Sequence, residues 1–302
     1  TTVGTNRTTQ TLSGNFGGLM YTDAQSSPYI ATGGATINTD AANNRVSARL
    51  AGTSQSSSGG VNTLTMQYGG LTGADAGRQA FVDDNNFAAL ESQVNPQQIN
   101  GKNLVVNGDE TQAGKLYLTS SALAPPPTSL LPTGASYCDC QYLKWGYWGG
   151  DLLTGNATDT TISRIDRSHI NTWVAGVPTP IGDLNTLASQ SAVGTYTGHA
   201  IGSVFNNGAS YIAAGGFNGS YNFGTQNATL TISNFDGRTF STTGKVPLSG
   251  ATYAATFNAA GFKGAVNGSF YGPKAAETGG SFAVQTTAGP TYLASGIYAG
   301  RQ

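Results

Sequence analysis

Residues 264–300 read GAVNGSFYGPKAAETGGSFAVQTTAGPTYLASGIYAG and form the most regular run of extended segments and turns in the chain. The dipeptides Gly272-Pro273 and Gly289-Pro290 separate three extended segments, and residues 281–286, SFAVQT, nearly alternate in polarity. Glycine and proline between alternating segments are typical of antiparallel strands joined by turns. The stretch therefore predicts three strands at the closing edge of a β-barrel.

The same pattern continues back to residue 194. Asn207-Gly208 and Asp236-Gly237 stand between extended segments, and residues 228–232, ATLTI, alternate apolar with polar side chains. Asn-Gly and Asp-Gly are the strongest short-range signals for a β-hairpin, because both residues tolerate positive φ. Eight or nine strands within roughly 110 residues are expected of a small closed antiparallel barrel.

The first part of the chain also predicts strands, with one exception. Residues 83–93, DDNNFAALESQ, predict a short helix, because Asp83 or Asp84 can cap it and Phe87 and Leu90 lie three positions apart. The extended segments bounded by turn residues are 11–21, 35–39, 44–50, 64–68, 103–106 and 115–119.

Charge divides the chain near residue 190. Residues 1–190 carry nine Lys and Arg against 13 Asp and Glu, whereas residues 191–302 carry five against two. A chain of 302 residues is long enough for two domains. We predict one domain at residues 1–185, another at residues 194–302, and a linker within residues 178–193.

The composition indicates an extracellular protein. Only 10% of the residues are charged and the net charge is −1, so nothing favours nucleic acid or an acidic membrane surface as a partner. No segment approaches the roughly 18 apolar residues of a transmembrane helix. The first residue is Thr1 rather than Met, which predicts a mature or trimmed piece of a longer product. Low charge, abundant Gly, Ser, Thr and Asn, and two cysteines are typical of bacterial extracellular proteins.

Residues 268–282, GSFYGPKAAETGGSF, have the pattern G-x-F-Y-G-x-x-A-x-E-x-G-G-x-F. This pattern resembles the closing signature of the C-terminal barrel in transferrin-binding-protein-B-like surface proteins. Residues 194–216 also resemble the opening of the barrel in related alphaproteobacterial surface proteins. The structural positions that match the signature are Gly268, Phe270, Tyr271, Gly272, Glu277, Gly279, Gly280 and Phe282.

The resemblance implies an all-β protein with an N-terminal β-rich handle domain followed by a C-terminal eight-stranded antiparallel β-barrel. It also implies exposure on, or release from, the outer surface of a Gram-negative bacterium. The group includes receptors that capture ligands, but none of the family's ligand contacts can be matched residue by residue to this chain.

The cysteines and histidines leave several possibilities. Cys138 and Cys140, one residue apart, allow a small-ring disulfide, two free thiols or half of a soft-metal site. An oxidising location favours the disulfide. His169 and His199 are the only histidines, and a solvent-facing or hydrogen-bonded role is favoured over metal or haem ligation. We therefore predict no metal and no cofactor.

Catalysis has no support in the sequence. The Gly-x-Ser-x-Gly motif is absent, and Ser and Asp are too common for their spacing to indicate a catalytic triad. We predict a protein that is not an enzyme.

Residues 137–151, YCDCQYLKWGYWGGD, hold two of the three tryptophans. We predict binding residues at Tyr142, Trp145, Tyr147 and Trp148, with the alternative that all four pack in the protein interior. On a strand, Tyr142 and Trp148 lie on one face while Trp145 and Tyr147 lie on the other.

Two functional hypotheses follow. In the first, the protein binds an unknown protein or small molecule through loops and exposed aromatic side chains. In the second, it is a structural or adhesive module of a bacterial extracellular layer, matrix or filament, in which copies of the chain bind each other.

Overall fold

The computed structural model describes residues 10–22, 28–40, 45–55, 61–69, 88–91, 97–99, 102–106, 115–119, 136–138, 140–155, 162–289 and 291–302. Nearly all of the regular structure is antiparallel β-sheet. The predicted all-β class is confirmed.

The first ten strands form one sheet, which we call the handle sheet. They are β1 (Gln10–Thr22), β2 (Tyr29–Asp40), β3 (Arg45–Gln55), β4 (Val61–Gly69), β5 (Ala88–Glu91), β6 (Gln97–Ile99), β7 (Lys102–Val106), β8 (Lys115–Thr119), β9 (Leu143–Gly155) and β10 (Ile162–Gly176). The hydrogen-bonded order is β4-β3-β2-β1-β10-β9, and β9 then pairs with both β7 and β8. Because β4 lies against β7, the sheet curls.

The next nine strands form the second sheet, which we call the barrel. They are β11 (Val193–Asn206), β12 (Ala209–Asn222), β13 (Asn227–Phe235), β14 (Arg238–Lys245), β15 (Leu248–Ser249), β16 (Thr252–Ala259), β17 (Phe262–Tyr271), β18 (Glu277–Thr286) and β19 (Tyr292–Arg301). Their order is β14-β13-β12-β11-β19-β18-β17-β16-β15, and β14 lies against β16 at the seam. The expected eight strands are the long ones, and the two-residue β15 is a ninth.

Two hairpin turns have the backbone that the sequence predicts. Asn207 and Gly208 have φ of 49° and 90°, and Asp236 and Gly237 have φ of 52° and 70°. Positive φ at both central residues matches the right-handed twist of the flanking strands. The Asn207-Gly208 turn therefore sets the register of β11 with β12, whereas an irregularity between Ile232 and Phe235 shifts the register of β13 with β14.

Residues 264–300 form β17, β18 and β19 as predicted, but they do not lie at the seam. Because β19 pairs with β11 along its whole length, the first and last long strands of the barrel are neighbours in the middle of the sheet order. The seam lies instead between β14 and β16.

Aromatic side chains fill the barrel. Phe217 stacks on Tyr298 with ring centroids 4.5 Å apart, and Phe235 meets Phe282 edge to face at 5.0 Å. The Tyr298 hydroxyl donates to the Tyr253 hydroxyl at 2.9 Å, so these polar groups are satisfied inside the core.

The predicted linker contains a helix, α1 (Ile181–Ser189). Leu184 on α1 is buried in the barrel core, and the Asp183 carboxylate accepts the backbone N–H of Lys274 at 2.7 Å. The assignment of domains to residues 1–185 and 194–302 stays a prediction.

The predicted helix at residues 83–93 is wrong for the part that the structure describes. Residues 88–91 form β5 and pair with β8, where Leu90 lies opposite Leu116. A helix of this length is marginal by itself, so pairing with a distant strand outweighs the local preference. Residues 83–87 and 92–93 lie outside the described residues.

Candidate functional site

The handle sheet packs against the outer wall of the barrel, and we call this contact the joint. Strands β1, β9 and β10 lie against β11, β18 and β19. A Cβ atom on Gly17 would lie 2.4 Å from the carbonyl oxygen of Gly296, so the two backbones touch directly and no side chain fits between them. Beside this contact, Leu19 packs with Phe205 and Leu293. The joint therefore fixes the distance between the two sheets.

The outer wall of the barrel is apolar at the joint. Ile201, Ile297 and Ala299 point away from the barrel interior and are buried against Leu143 and Val174 of the handle sheet. In a barrel with an exposed outer wall, these positions would contact water and would be polar. Their burial contributes roughly 1.5–3 kcal/mol for each large apolar side chain.

The chain enters β9 through residues 137–138 and 140–145, which we call the strap. Cys138 and Cys140 are joined by a disulfide, with Cα atoms 5.3 Å apart, so the predicted bond is present. Both cysteines are buried in the joint beside Trp145. The disulfide therefore fixes Cys138 and Cys140 relative to each other beside the outer wall of the barrel.

His199 holds one end of the strap from the outer wall of the barrel. Its Nδ1 accepts the backbone N–H of Cys138 at 2.8 Å. Its ring lies 4.4 Å from the Trp145 ring and 5.0 Å from the Tyr137 ring, centroid to centroid. Complete burial lowers the pKa of His199 to about 3, because the charged imidazolium would lose its hydration. The imidazole is therefore neutral, and the accepting Nδ1 places its proton on Nε2.

Glu277, the glutamate of the barrel signature, holds the other end. One carboxylate oxygen accepts the N–H of Gln141 at 2.5 Å, and the other accepts those of Tyr142 and Leu143 at 2.9 and 2.8 Å. Burial raises the pKa of Glu277, while the three N–H donors and the nearby Lys144 act in the opposite direction. The signature glutamate thus binds the strap rather than a ligand.

Two signature glycines make room for other residues. Gly272 has φ of 71°, which disfavours a side chain, and a Cβ there would lie 2.4 Å from the Tyr142 ring. A Cβ on Gly268 would lie 2.1 Å from the Tyr298 hydroxyl, so this glycine leaves space for the hydroxyl pair inside the barrel.

The other signature positions divide between the barrel core and the joint. Phe270 and Phe282 point into the barrel core, whereas Tyr271 points outward into the joint. Gly279 lies against Val174 of the handle sheet, and Gly280 lies opposite Gly268 in the ladder. The signature residues therefore pack the barrel core and form the contact with the handle sheet.

A cleft of about 950 Å³ opens beside the joint, and it is the candidate binding site. One wall is the face of β1, β2 and β3, and the other is the outer wall of β16 and β17 with the segment around β15. In the handle sheet, residues 13–15 of the cleft pair directly with residues 174–176 of the joint. The cleft is thus the continuation of the joint, where the two sheets are no longer in contact.

The cleft walls are uncharged, and they combine hydroxyl and amide side chains with apolar surface from residues such as Pro178, Pro247 and Ala254. The lining side chains on the handle side include Ser13, Asn15 and Thr32, and those on the barrel side include Asn267 and Ser269. Among the described residues that line the cleft, none is Asp, Glu, Lys, Arg or His. The walls therefore offer hydroxyl and amide groups that both donate and accept hydrogen bonds.

The four aromatic residues predicted to bind do not lie together in this cleft. Tyr142 is 39% exposed at the edge of the joint, whereas Trp145 is buried inside it. Tyr147 and Trp148 belong to β9, but their side chains lie outside the described residues, as does that of His169. A binding role for the four aromatics stays a prediction.

The sequence did not indicate the cleft residues. Ser13, Asn15 and Asn267 resemble the many other Ser and Asn of the Gly-rich strands, and only the packing of two sheets brings them together. For His199, the structure shows the hydrogen-bonded role that the sequence analysis favoured over metal or haem ligation, but its partner, the N–H of Cys138, was not predicted. One sequence signal indicated that the outer wall of the barrel is covered here. Strand β19, YLASGIYAGR, has no charged residue before Arg301, which indicates burial on both faces.

The described residues hold no group of three or more His, Cys, Asp or Glu side chains arranged for a metal ion. Among the same residues, no helix has the length and apolar character needed to cross a membrane.

No protein-family model matches the chain, and a search of curated proteins finds no match. Among solved structures, the chain is similar to HpuA from Kingella denitrificans in complex with human haemoglobin, at 15% identity and a TM-score of 0.41, covering 99% of this chain and 89% of that one. It is similar to a double mutant of transferrin binding protein B from Haemophilus parasuis Hp5, at 14% identity and a TM-score of 0.41, covering 98% and 76%. It is also similar to transferrin binding protein B from serogroup B Neisseria meningitidis, at 13% identity and a TM-score of 0.35, covering 90% and 65%. The protein whose C-terminal barrel the sequence signature resembles is thus among the solved structures to which this chain is similar.

Proposed function

We propose that this protein is a non-enzymatic binding protein, exposed on or released from the outer surface of a Gram-negative bacterium, that holds a ligand in the cleft. The observation that carries the proposal is the cleft of about 950 Å³ between two sheets. Ligands bind preferentially in clefts of roughly 300–1,000 Å³, often where two structural units meet.

The joint keeps the cleft open before a ligand arrives. The backbone contact at Gly17 and the strap bonds to His199 and Glu277 fix the handle sheet on the barrel. A ligand that enters a preformed cleft does not have to order its walls, so more of its contact energy appears as affinity. This arrangement suits capture of a ligand.

The proposed location rests on three observations. The chain is only 10% charged, its two cysteines form a disulfide, and its barrel signature resembles those of Gram-negative surface proteins. Disulfides persist in oxidising environments outside the cytosol.

Native mass spectrometry of the protein purified from its source cells tests the proposal. We expect a monomer that carries an adduct, whose mass distinguishes a small molecule from a protein. The variant Asn267→Trp fills the cleft and is expected to lose the adduct. Asn218→Trp is the matched control, because Asn218 is also an exposed strand position of the barrel but does not line the cleft.

Two other outcomes contradict the proposal. A ladder of polymers supports the structural or adhesive module, which the uncharged Gly-, Ser-, Thr- and Asn-rich composition also suits. A bare monomer that does not associate contradicts both functions.

A further inference from the structure

We propose that the cleft binds a short, uncharged oligosaccharide. This inference rests on the proposed function and names the ligand class for the same site. The charge of the walls, their hydrogen-bonding groups and their shape all favour such a ligand.

The charge of the walls favours a neutral ligand. None of the described lining residues is charged at neutral pH, and the carboxylate of the barrel signature, that of Glu277, is occupied by three strap N–H groups. A carboxylate, phosphate or ammonium group in the cleft would lose hydration without gaining an opposite charge. Charged ligands are therefore disfavoured.

The hydrogen-bonding groups favour a ligand rich in hydroxyls. Asn15, Thr32 and Asn267 contribute amides and a hydroxyl, each able to donate and to accept. Sugar hydroxyls have the same dual capacity, so they can pair with every such group in either direction. A hydrocarbon ligand would leave these groups without partners, which is unfavourable.

Most of the wall backbone is already paired, which disfavours the usual way of binding a peptide. Peptides commonly add a strand to the exposed edge of a sheet. In the cleft, however, Asn15 pairs with Gly34 and Val174, and Asn267 pairs with Ala254 and Ser281, so the walls are sheet faces rather than edges. At these positions the ligand meets side chains rather than unpaired backbone, as is suitable for a saccharide.

The shape favours an extended ligand. Gly14, Gly33 and Gly52 contribute no side chains to the handle wall, and the barrel wall carries small residues such as Ser269 and Ala254. The result is a slot between two sheet faces with room for several sugar rings.

Isothermal titration of the purified chain with a panel of hexasaccharides tests this inference. The neutral probes are the hexamers of glucose, mannose, galactose and N-acetylglucosamine, and the charged counterparts are the hexamers of galacturonic acid and glucosamine. We expect at least one neutral hexamer to bind, and both charged hexamers to bind at least about tenfold more weakly than it does. Affinity for the neutral probe should not change between about 0.05 and 0.5 M NaCl, because no ion pair is screened.

The two variants locate the binding. Asn267→Trp should weaken binding of the neutral hexamer by at least about tenfold, and Asn218→Trp should leave it unchanged. The inference is overturned if no neutral hexamer binds, if a charged hexamer binds more tightly, or if Asn267→Trp has no effect. If the adduct from source cells is lost in Asn267→Trp but is not a neutral glycan, the ligand class is wrong while the proposed function stands. If there is neither an adduct nor glycan binding, both fail.

Discussion

Replacing His199 by Asn should remove a specific part of the pH dependence of stability. The Asn side-chain oxygen can take the place of Nδ1 and accept the Cys138 N–H, but it does not titrate in this range. The imidazole of His199 is buried with a pKa lowered to about 3, whereas an unfolded histidine titrates near 6.5. Between these values the unfolded state binds more protons than the folded state, so stability falls as pH falls.

The magnitude follows from the two pKa values. Between about pH 7 and about pH 4.5, this one histidine should reduce the free energy of unfolding by roughly 2.5 kcal/mol. Tyr137, which faces the imidazole, stays neutral throughout because burial raises its pKa to about 12. The loss should be absent in His199→Asn, and other titrating groups cancel when the two proteins are compared.

Urea unfolding at the two pH values measures this loss. Tryptophan fluorescence reports on the joint, because the Trp145 ring lies against the imidazole. His169→Asn, which changes the chain's other histidine, should retain the loss attributed to His199. If His199→Asn loses as much stability between the two pH values as the unmodified protein, His199 is not a buried neutral acceptor and the description of the joint is wrong.

Three further predictions concern the strap and the signature. Glu277→Gln should destabilise the protein by about 2 kcal/mol, because one amide oxygen cannot accept hydrogen bonds from three N–H donors. Hydrogen exchange should become faster at these three strap amides. Unchanged protection from exchange would contradict the assigned bonds. Gly272→Ala should lower the free energy of unfolding, measured by thermal unfolding, by about 1–2 kcal/mol because Gly272 has a positive φ. The control Gly182→Ala on α1, where a Cβ would have nothing within 4 Å, should be neutral or stabilising. Equal effects of the two substitutions would argue against strain at Gly272. Alkylation of the unfolded chain without reductant should leave Cys138 and Cys140 unmodified, and labelling of both would show that they are not bonded.

The sequence predicted those features of the fold that depend on local patterns. The Asn207-Gly208 and Asp236-Gly237 turns and the strands of residues 264–300 are determined by residues close in the chain. The helix prediction for residues 83–93 is wrong because β5 forms by pairing with β8, which lies about 27 residues away in the chain. A local helical pattern does not reveal such a distant partner.

The candidate site could not be predicted for the same physical reason. Trp145 was a reasonable choice for a binding residue, but its burial depends on His199 and on the outer wall of a barrel that begins about 50 residues later. Glu277 was identified as a signature residue, yet its role depends on N–H groups 134–136 positions earlier in the chain. Ser13 and Asn267 line the same cleft only because the two sheets pack against each other.

The central claim is that the cleft between the handle sheet and the barrel is where this protein holds its ligand. An amide NMR titration with the ligand released from the native protein tests it most directly. We predict that the shifted resonances cluster at residues 13–15, 32–33, 252–254 and 267–269, on both walls of the cleft. Shifts confined to the far side of the barrel around Asn218, or to the turn at Asp236, would place the ligand elsewhere and contradict the claim.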